Sequence, residues 1–222
     1  MKFVDKVNRA TKMVEKARQD YGIRVAVACS FGKDSMVVLH LALQVDPEFP
    51  VFSVMTPFKF KETLQYKEEI ADKWRLNVAT YCDCDVNEQY DLYYRNPDAC
   101  CQRYKVEQTK KAIKELGLSA WITGLRRTEG RTRTDYDFVE DKGGLMKINP
   151  ILDFTELDVW RYLAVNNIPV NPLYGRGYRS LGCEPCSKKE EDETELERQG
   201  RWKGTSKCGG ECGIHTQNLK TE

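Results

Sequence analysis

Phe3, Val7, Ala10, Val14 and Ala17 recur at three- and four-residue intervals, so residues near 3–20 are predicted to form an amphipathic helix, ended by Gly22. The pattern then changes. Arg24 to Cys29 is a short apolar, β-branched run that reads as a buried strand, and Met36 to Leu43 follows as a helix without a breaker. Val51 to Met55, stopped by Pro57, is a second strand. Leu64, Ile70, Ala71 and Trp74 among charges mark a helix over 61–75, and Leu76 to Tyr81 is a third strand. Residues 82–99 show no period but hold Tyr90, Tyr93, Tyr94 and Pro97. A basic amphipathic helix is predicted from Gln102 to Leu116, a fourth strand from Ser119 to Thr123 and a further strand from Met146 to Ile151. Thr155 three residues before Asp158 is a helix-start pattern leading into Val159 to Leu163.

Strands alternating with helices predict an α/β fold: a parallel sheet with helices on both faces. Ligands in such sheets bind beyond the carboxyl ends of the strands. The segment after Cys29, the segment after Thr123 and the Cys100-Cys101 pair are therefore expected along one edge. After Asn166 prolines and glycines multiply. We divide the chain into an α/β domain over 1–187 and a mobile, irregular, cysteine-bearing tail over 188–222. The run Lys188 to Glu193 reads as a solvated surface or linker.

Bulk composition narrows the classes. The chain has 222 residues, 41% hydrophobic and 31% charged, enough for one full core. The net charge of +1 gives no whole-molecule field toward nucleic acid or membrane, so neither is an expected partner. No apolar run approaches the ~20 residues of a membrane span. The opening Met1 to Lys6 has no apolar signal core, which makes a cytoplasmic location the expectation. The sequence is compatible with a homo-oligomer.

Ser30-Phe31-Gly32-Lys33-Asp34-Ser35 joins the first strand to its helix. A glycine-containing loop at a helix N-terminus presents N–H groups and the positive end of the dipole to an anion. Ser30 and Ser35 add hydroxyls and Lys33 a charge. The spacing is not that of a Walker A loop. It resembles the S-x-G-x-D-S pyrophosphate loop of the adenine-nucleotide alpha hydrolase superfamily, which implies a nucleotide site at Ser30, Gly32, Lys33, Asp34 and Ser35.

The nine cysteines are an odd number, which excludes a fully paired disulfide framework, and in a reducing compartment metal binding or catalysis is the more usual role. Cys100-Cys101 and Cys183-Glu184-Pro185-Cys186 supply four thiolates suited to zinc or an iron–sulfur cluster. Adjacent cysteines diverge from the backbone and fit one zinc ion poorly; a larger cluster offers each its own corner. Cys212 lies four residues after Cys208 in a segment with few apolar neighbours, so both are expected to be exposed, reactive or ligating. His40 reads as structural, and Cys29, Cys82 and Cys84 carry no assigned role.

Several further stretches share one resemblance. Cys100-Cys101 with Lys105-Val106, Trp121 to Arg127, Asn149-Pro150-Ile151, Asp158-Val159-Trp160, Asn171 to Tyr174, Gly182 to Cys186, Gly200-Arg201-Trp202 and Glu211 to His215 are similar, in order, to segments of assimilatory adenylyl-sulfate reductases. The resemblance implies a [4Fe–4S] cluster on Cys100, Cys101, Cys183 and Cys186, with Lys105 between cluster and substrate. It implies Cys212 as the nucleophile on the sulfur of adenylyl sulfate or its 3′-phosphorylated form, giving an S-sulfocysteine from which thioredoxin or glutaredoxin releases sulfite. Arg126, Arg127, Arg198, Arg201 and His215 are the expected substrate-binding groups, with Arg198 and Arg201 on a lid that carries Cys212. Two features depart from the pattern. These reductases usually have a degenerate loop, whereas Lys33, Asp34 and Ser35 complete it, and Cys208 is an extra thiol that could pair with Cys212. The complete loop keeps open a second reading, an iron–sulfur ATP pyrophosphatase that activates a nucleic acid for sulfur insertion.

Overall fold

The computed structural model describes residues 1–85, 91–189, 197–208 and 210–220. Tyr90 and the acidic end of the 188–193 run lie outside the described residues. Among those described, six strands form one sheet. They are β1 (Val25–Ala28), β2 (Val51–Val54), β3 (Val78–Tyr81), β4 (Ala120–Ile122), β5 (Val139–Asp141) and β6 (Met146–Ile148), in the order β3-β2-β1-β4-β6-β5. All neighbouring pairs are parallel except β5 with β6, an antiparallel edge. The helices are α1 (Phe3–Tyr21), α2 (Lys33–Val45), α3 (Lys61–Lys73), the short α4 (Leu92–Arg95) and α5 (Pro97–Cys101), then α6 (Glu107–Glu115), α7 (Glu156–Val165) and α8 (Gly213–Thr216). The α/β expectation holds.

Alternation along the strands sorts the core into two layers. Val25, Val27, Val51, Ile122 and Ile148 face one side and pack with Ala10, Val14, Val38, Ile70 and Val159 from α1, α2, α3 and α7. Ala26, Phe52 and Trp121 face the other, against Val106, Ala112, Ile113 and the tail residue Leu219. Burial on both faces is what a parallel sheet requires. The predicted start of α7 is a full capping box: the Thr155 hydroxyl accepts from the Asp158 N–H at 3.2 Å, and the Asp158 carboxylate accepts from the Thr155 N–H at 2.9 Å. His40 is structural as read, its Nδ1 lying 2.9 Å from the Tyr162 hydroxyl.

Three features differ from the sequence reading. The basic helix predicted over 102–116 opens with a π turn, Gln102–Val106, directly after Cys101. Residues 82–99, expected to be irregular, contain two short helices, the second started by Pro97 behind the Asn96 cap. At the exit of β3, Cys82 and Cys84 are joined in a disulfide across a Cα–Cα distance of 5.5 Å. An odd cysteine count forbids complete pairing but not one local pair.

The corner after β4 approaches the α2 N-terminus very closely. A Cβ on Gly124 would sit 2.8 Å from the backbone of Asp34 and Ser35. Gly124→Ala should therefore lower stability by about 1–3 kcal/mol, whereas Gly175→Ala, with open space around it, should stay within about 0.5 kcal/mol of the parent in urea unfolding. In the same assay Thr155→Ala should cost about 1 kcal/mol through loss of the α7 cap.

Candidate active site

The loop and the tail face each other across one cavity. Ser30, Gly32, Asp34 and Ser35 line it from the β1–α2 corner, Trp121 and Gly124 from β4, and Arg198, Arg201, Cys212 and His215 from the tail. The corner turns through Phe31, whose φ of 59° lies in the left-handed region. That conformation costs a non-glycine residue about 1–3 kcal/mol, and the fully buried Phe31 ring holds it. The Ser35 hydroxyl donates to the Gly32 carbonyl at 2.9 Å, and the Tyr174 hydroxyl accepts from the Lys33 backbone N–H at 2.8 Å.

Cys100, Cys101, Cys183, Cys186 and Cys212 are all buried in one cluster with Phe58, Tyr104 and Trp202. The adjacent pair divides its attention. Cys100 interacts with Cys183 and Cys186, and burial beside those two thiols pushes it up to about 12. Cys101 interacts chiefly with Cys212. Cys101, the Lys105 ammonium and the Ile214 N–H together outweigh burial and hold the Cys212 thiol down to about 5. Among the described residues no group of three or more His, Cys, Asp or Glu side chains is arranged to hold a single metal ion.

Buried charge at the cavity wall is organised in two neutral sets. In the first, Lys33 Nζ lies 2.8 Å from Glu197 Oε2, Arg126 Nη2 lies 2.6 Å from the same oxygen, and Arg126 Nε donates to Asp34 Oδ1 at 2.5 Å. In the second, Arg133 pairs with Glu129 and, at 2.5 Å, with Glu211, while Arg198 lies 3.0 Å from Glu211 and 3.7 Å from Glu129. Burial disfavours the Glu129 and Glu211 carboxylates, but these arginines overcome it and hold both well below the usual carboxylate range. Lys59, Lys105 and Arg201 also line the cavity, and among the described residues none of them has a carboxylate partner. Arg201 donates to the backbone carbonyls of Leu181 and Cys186 and passes so close to Gly182 that a Cβ there would meet its guanidinium. Burial, with Lys105 and Arg201 close by, pushes the Lys59 ammonium down to about 8 against the pull of Cys183 and Cys212. The cavity thus keeps an excess of positive charge beside a thiol that favours its thiolate.

The structure sorts the expected site residues. Ser30, Gly32, Asp34, Ser35, Lys105, Arg198, Arg201, Cys212 and His215 line the cavity. Lys33 and Arg126 do not; both are buried behind the wall in the first ion set. Arg127 points elsewhere, donating to the Tyr136 carbonyl at 2.7 and 3.0 Å and lying over Phe138. Cys212, expected to be exposed in a free tail, is buried; Cys208 is exposed as expected, and the two are separate free thiols. His215 stacks on Trp121 at 6.2 Å, and burial keeps its imidazole well below its ordinary range, hence neutral. Its Nδ1 and the Nε1 atoms of Trp121 and Trp202 are buried without a hydrogen-bond partner, atoms that a ligand or water can satisfy. Sequence reasoning missed Lys59, Glu129 and Glu197. Only the i, i+4 spacing of Glu129 and Arg133 offered a local signal.

Residues 24–189 match the model of the phosphoadenosine phosphosulfate reductase domain. The chain is 35% identical to adenosine 5′-phosphosulfate reductase of Lysinibacillus sphaericus over 96% of its own length and 93% of the relative's. It is 34% identical to adenosine 5′-phosphosulfate reductase 2 of Bacillus subtilis over 90% and 87%. In fold it is similar to phosphoadenylyl-sulfate reductase of Candida auris, with a TM-score of 0.70 and 22% identity over 82% of this chain and 90% of that one. Candida glabrata FMN adenylyltransferase shares the fold at a TM-score of 0.65 and 18% identity, over 94% and 75%. With a family model spanning most of its length and curated relatives matched nearly end to end, the chain belongs to the phosphoadenosine phosphosulfate reductase family.

Proposed function

We propose that this protein reduces adenylyl sulfate, or its 3′-phosphorylated form, to sulfite with electrons from a thiol. The observation that carries the reading is the buried Cys212 thiol, next to Lys105, at a cavity where among the described residues Lys59, Lys105 and Arg201 lack carboxylate partners. A sulfonucleotide brings negative charge at both its sulfonate and its phosphate, which these cations can receive. The apolar wall of Ala28, Phe52, Val54 and Leu125 suits a nucleoside.

The chemistry is two displacements at sulfur. The Cys212 thiolate attacks the substrate sulfur; an S–S bond forms, the S–O bond to the phosphate breaks, and the nucleotide leaves with that electron pair. A dithiol reductant, thioredoxin or glutaredoxin, then attacks the Cys212 sulfur. Sulfite departs with the S–S pair, and the reductant's second thiol resolves the mixed disulfide and restores Cys212. The dithiol supplies both electrons. Burial of Cys212 keeps water from the intermediate, and release requires the tail to admit the reductant.

Cys100, Cys101, Cys183 and Cys186 fit a [4Fe–4S] cluster: four buried thiols in one apolar cluster with no carboxylate or imidazole among them. When bound, such a cluster adds a field next to the reacting sulfur. Lys105, which interacts with Cys101, Cys183 and Cys212, lies where it offsets negative charge on both sides.

Anaerobically purified protein mixed with adenylyl sulfate should gain a sulfonate mass on Cys212, absent in Cys212→Ser; pyrophosphate release from ATP with no adduct would instead support the nucleic-acid-activating reading. Iron and acid-labile sulfide should be present in equal amounts and fall together in Cys183→Ser. Lys59→Met and Lys105→Met should each lower kcat/KM by about tenfold or more, the equivalent of ~1.4 kcal/mol of lost transition-state binding.

A further inference from the structure

Lys33 completes a nucleotide-loop pattern, yet its side chain is about 1% exposed and does not line the cavity. Its ammonium donates to the Arg179 carbonyl at 2.5 Å and lies 2.8 Å from Glu197 Oε2, the same oxygen that accepts from Arg126 at 2.6 Å. A single carboxylate oxygen of Glu197 therefore sits between two cations that were both expected among the substrate-binding groups. Asp34 closes the set on Arg126. The two positive and two negative charges cancel, and the Arg126 side chain is 0% exposed.

The position of Glu197 in the tail gives this set its consequence. The next residue, Arg198, enters the second ion set, which also holds Glu211, the residue before Cys212. Arg201 then ties the same segment to the backbone at Leu181 and Cys186. The tail is pinned at 197, 198, 201 and 211, and Cys212 follows the last pin.

We propose that Lys33, Asp34 and Arg126 are positioning residues that, with Glu197, clasp the tail over the cavity and so seat Cys212. The loop lysine is thereby withdrawn from phosphate binding, and the complete Ser30-x-Gly32-x-Asp34-Ser35 pattern does not make a polyphosphate site. This also accounts for the departure of the loop from the degenerate form of adenylyl-sulfate reductases. Buried ions that lose a partner destabilise the contact they belong to far more than exposed ones do. Removing one charge from the set should therefore open the tail without emptying the cavity of Lys59, Lys105 and Arg201. The idea rests on the proposed reaction only for its kinetic readout.

The test uses full-length protein with Cys208→Ser, so that alkylation of the tail reports Cys212 alone. Glu197→Gln and Lys33→Met should each speed alkylation of Cys212 by a bulky maleimide about tenfold, through more frequent local opening, and Glu197→Asp should restore most of the protection. Inorganic pyrophosphate, measured by calorimetry, should bind the parent no more tightly than Lys33→Met. With adenylyl sulfate, kcat should fall in Glu197→Gln while KM changes little. An unchanged alkylation rate in Glu197→Gln, or pyrophosphate binding that depends on Lys33, would overturn the clasp. Should Lys33→Met fail to fold, Glu197→Gln carries the alkylation test alone, since Glu197 lies outside the sheet. The alkylation and pyrophosphate results do not depend on the substrate, so a failed clasp is distinguishable from a failed reductase assignment.

Discussion

Enclosing a charge without a partner is costly, and that constraint arranges the buried ion pairs around the site. Eight charged side chains at the wall of the cavity cancel in two neutral sets, Lys33, Asp34, Arg126 and Glu197 in one and Glu129, Arg133, Arg198 and Glu211 in the other. Each set joins the α/β domain to the tail. The cations left over, Lys59, Lys105 and Arg201, give the cavity its sign. The tail is thus held by pairs that spend no charge on a ligand, while the unpaired cations stay available to an anion. A chain of nearly neutral net charge reaches a locally positive site this way, with no long-range field required.

The fold was legible because its signals are local. Val25 and Val27 face one layer and Ala26 the other, the period of two that defines a strand. Thr155 and Asp158 form the capping box that their spacing announces. Strand β5 was not legible: Val139 is exposed and the segment is too short and polar to show alternation, so it exists by pairing with β6. The π turn after Cys101 likewise has no sequence period of its own.

The site was legible where a side chain acts alone and obscure where it acts through distant partners. The four cysteines and Cys212 share one buried cluster. Burial of Cys212 was missed because its sequence neighbours are polar. Its cover is made of Phe58 and Trp202, with Lys105, Arg198 and Arg201 near the Trp202 ring, residues brought in from other elements. Arg126 and Arg127 look equivalent in sequence. One is locked behind the wall by Asp34 and Glu197, and the other is turned to the Tyr136 carbonyl, because the backbone passes from extended at Arg126 into a 3-10 turn at Arg127.

The two cysteine pairs show the same division of labour at closer range. Adjacent thiols leave a helix about 100° apart, from 3.6 residues per turn, so Cys100 and Cys101 face different thiols. Cys100 meets Cys183 and Cys186, while Cys101 meets Cys212. Two separated cysteines on one helix face would all point at the C-x-x-C pair and leave Cys212 without a sulfur beside it. The double cysteine thus faces two neighbourhoods at once. It places one thiol beside Cys183 and Cys186 and the other toward Cys212, and the π turn that follows sets Lys105 within reach of Cys101, Cys183 and Cys212 together. The C-x-x-C pair and Cys212 are thus linked through one dipeptide.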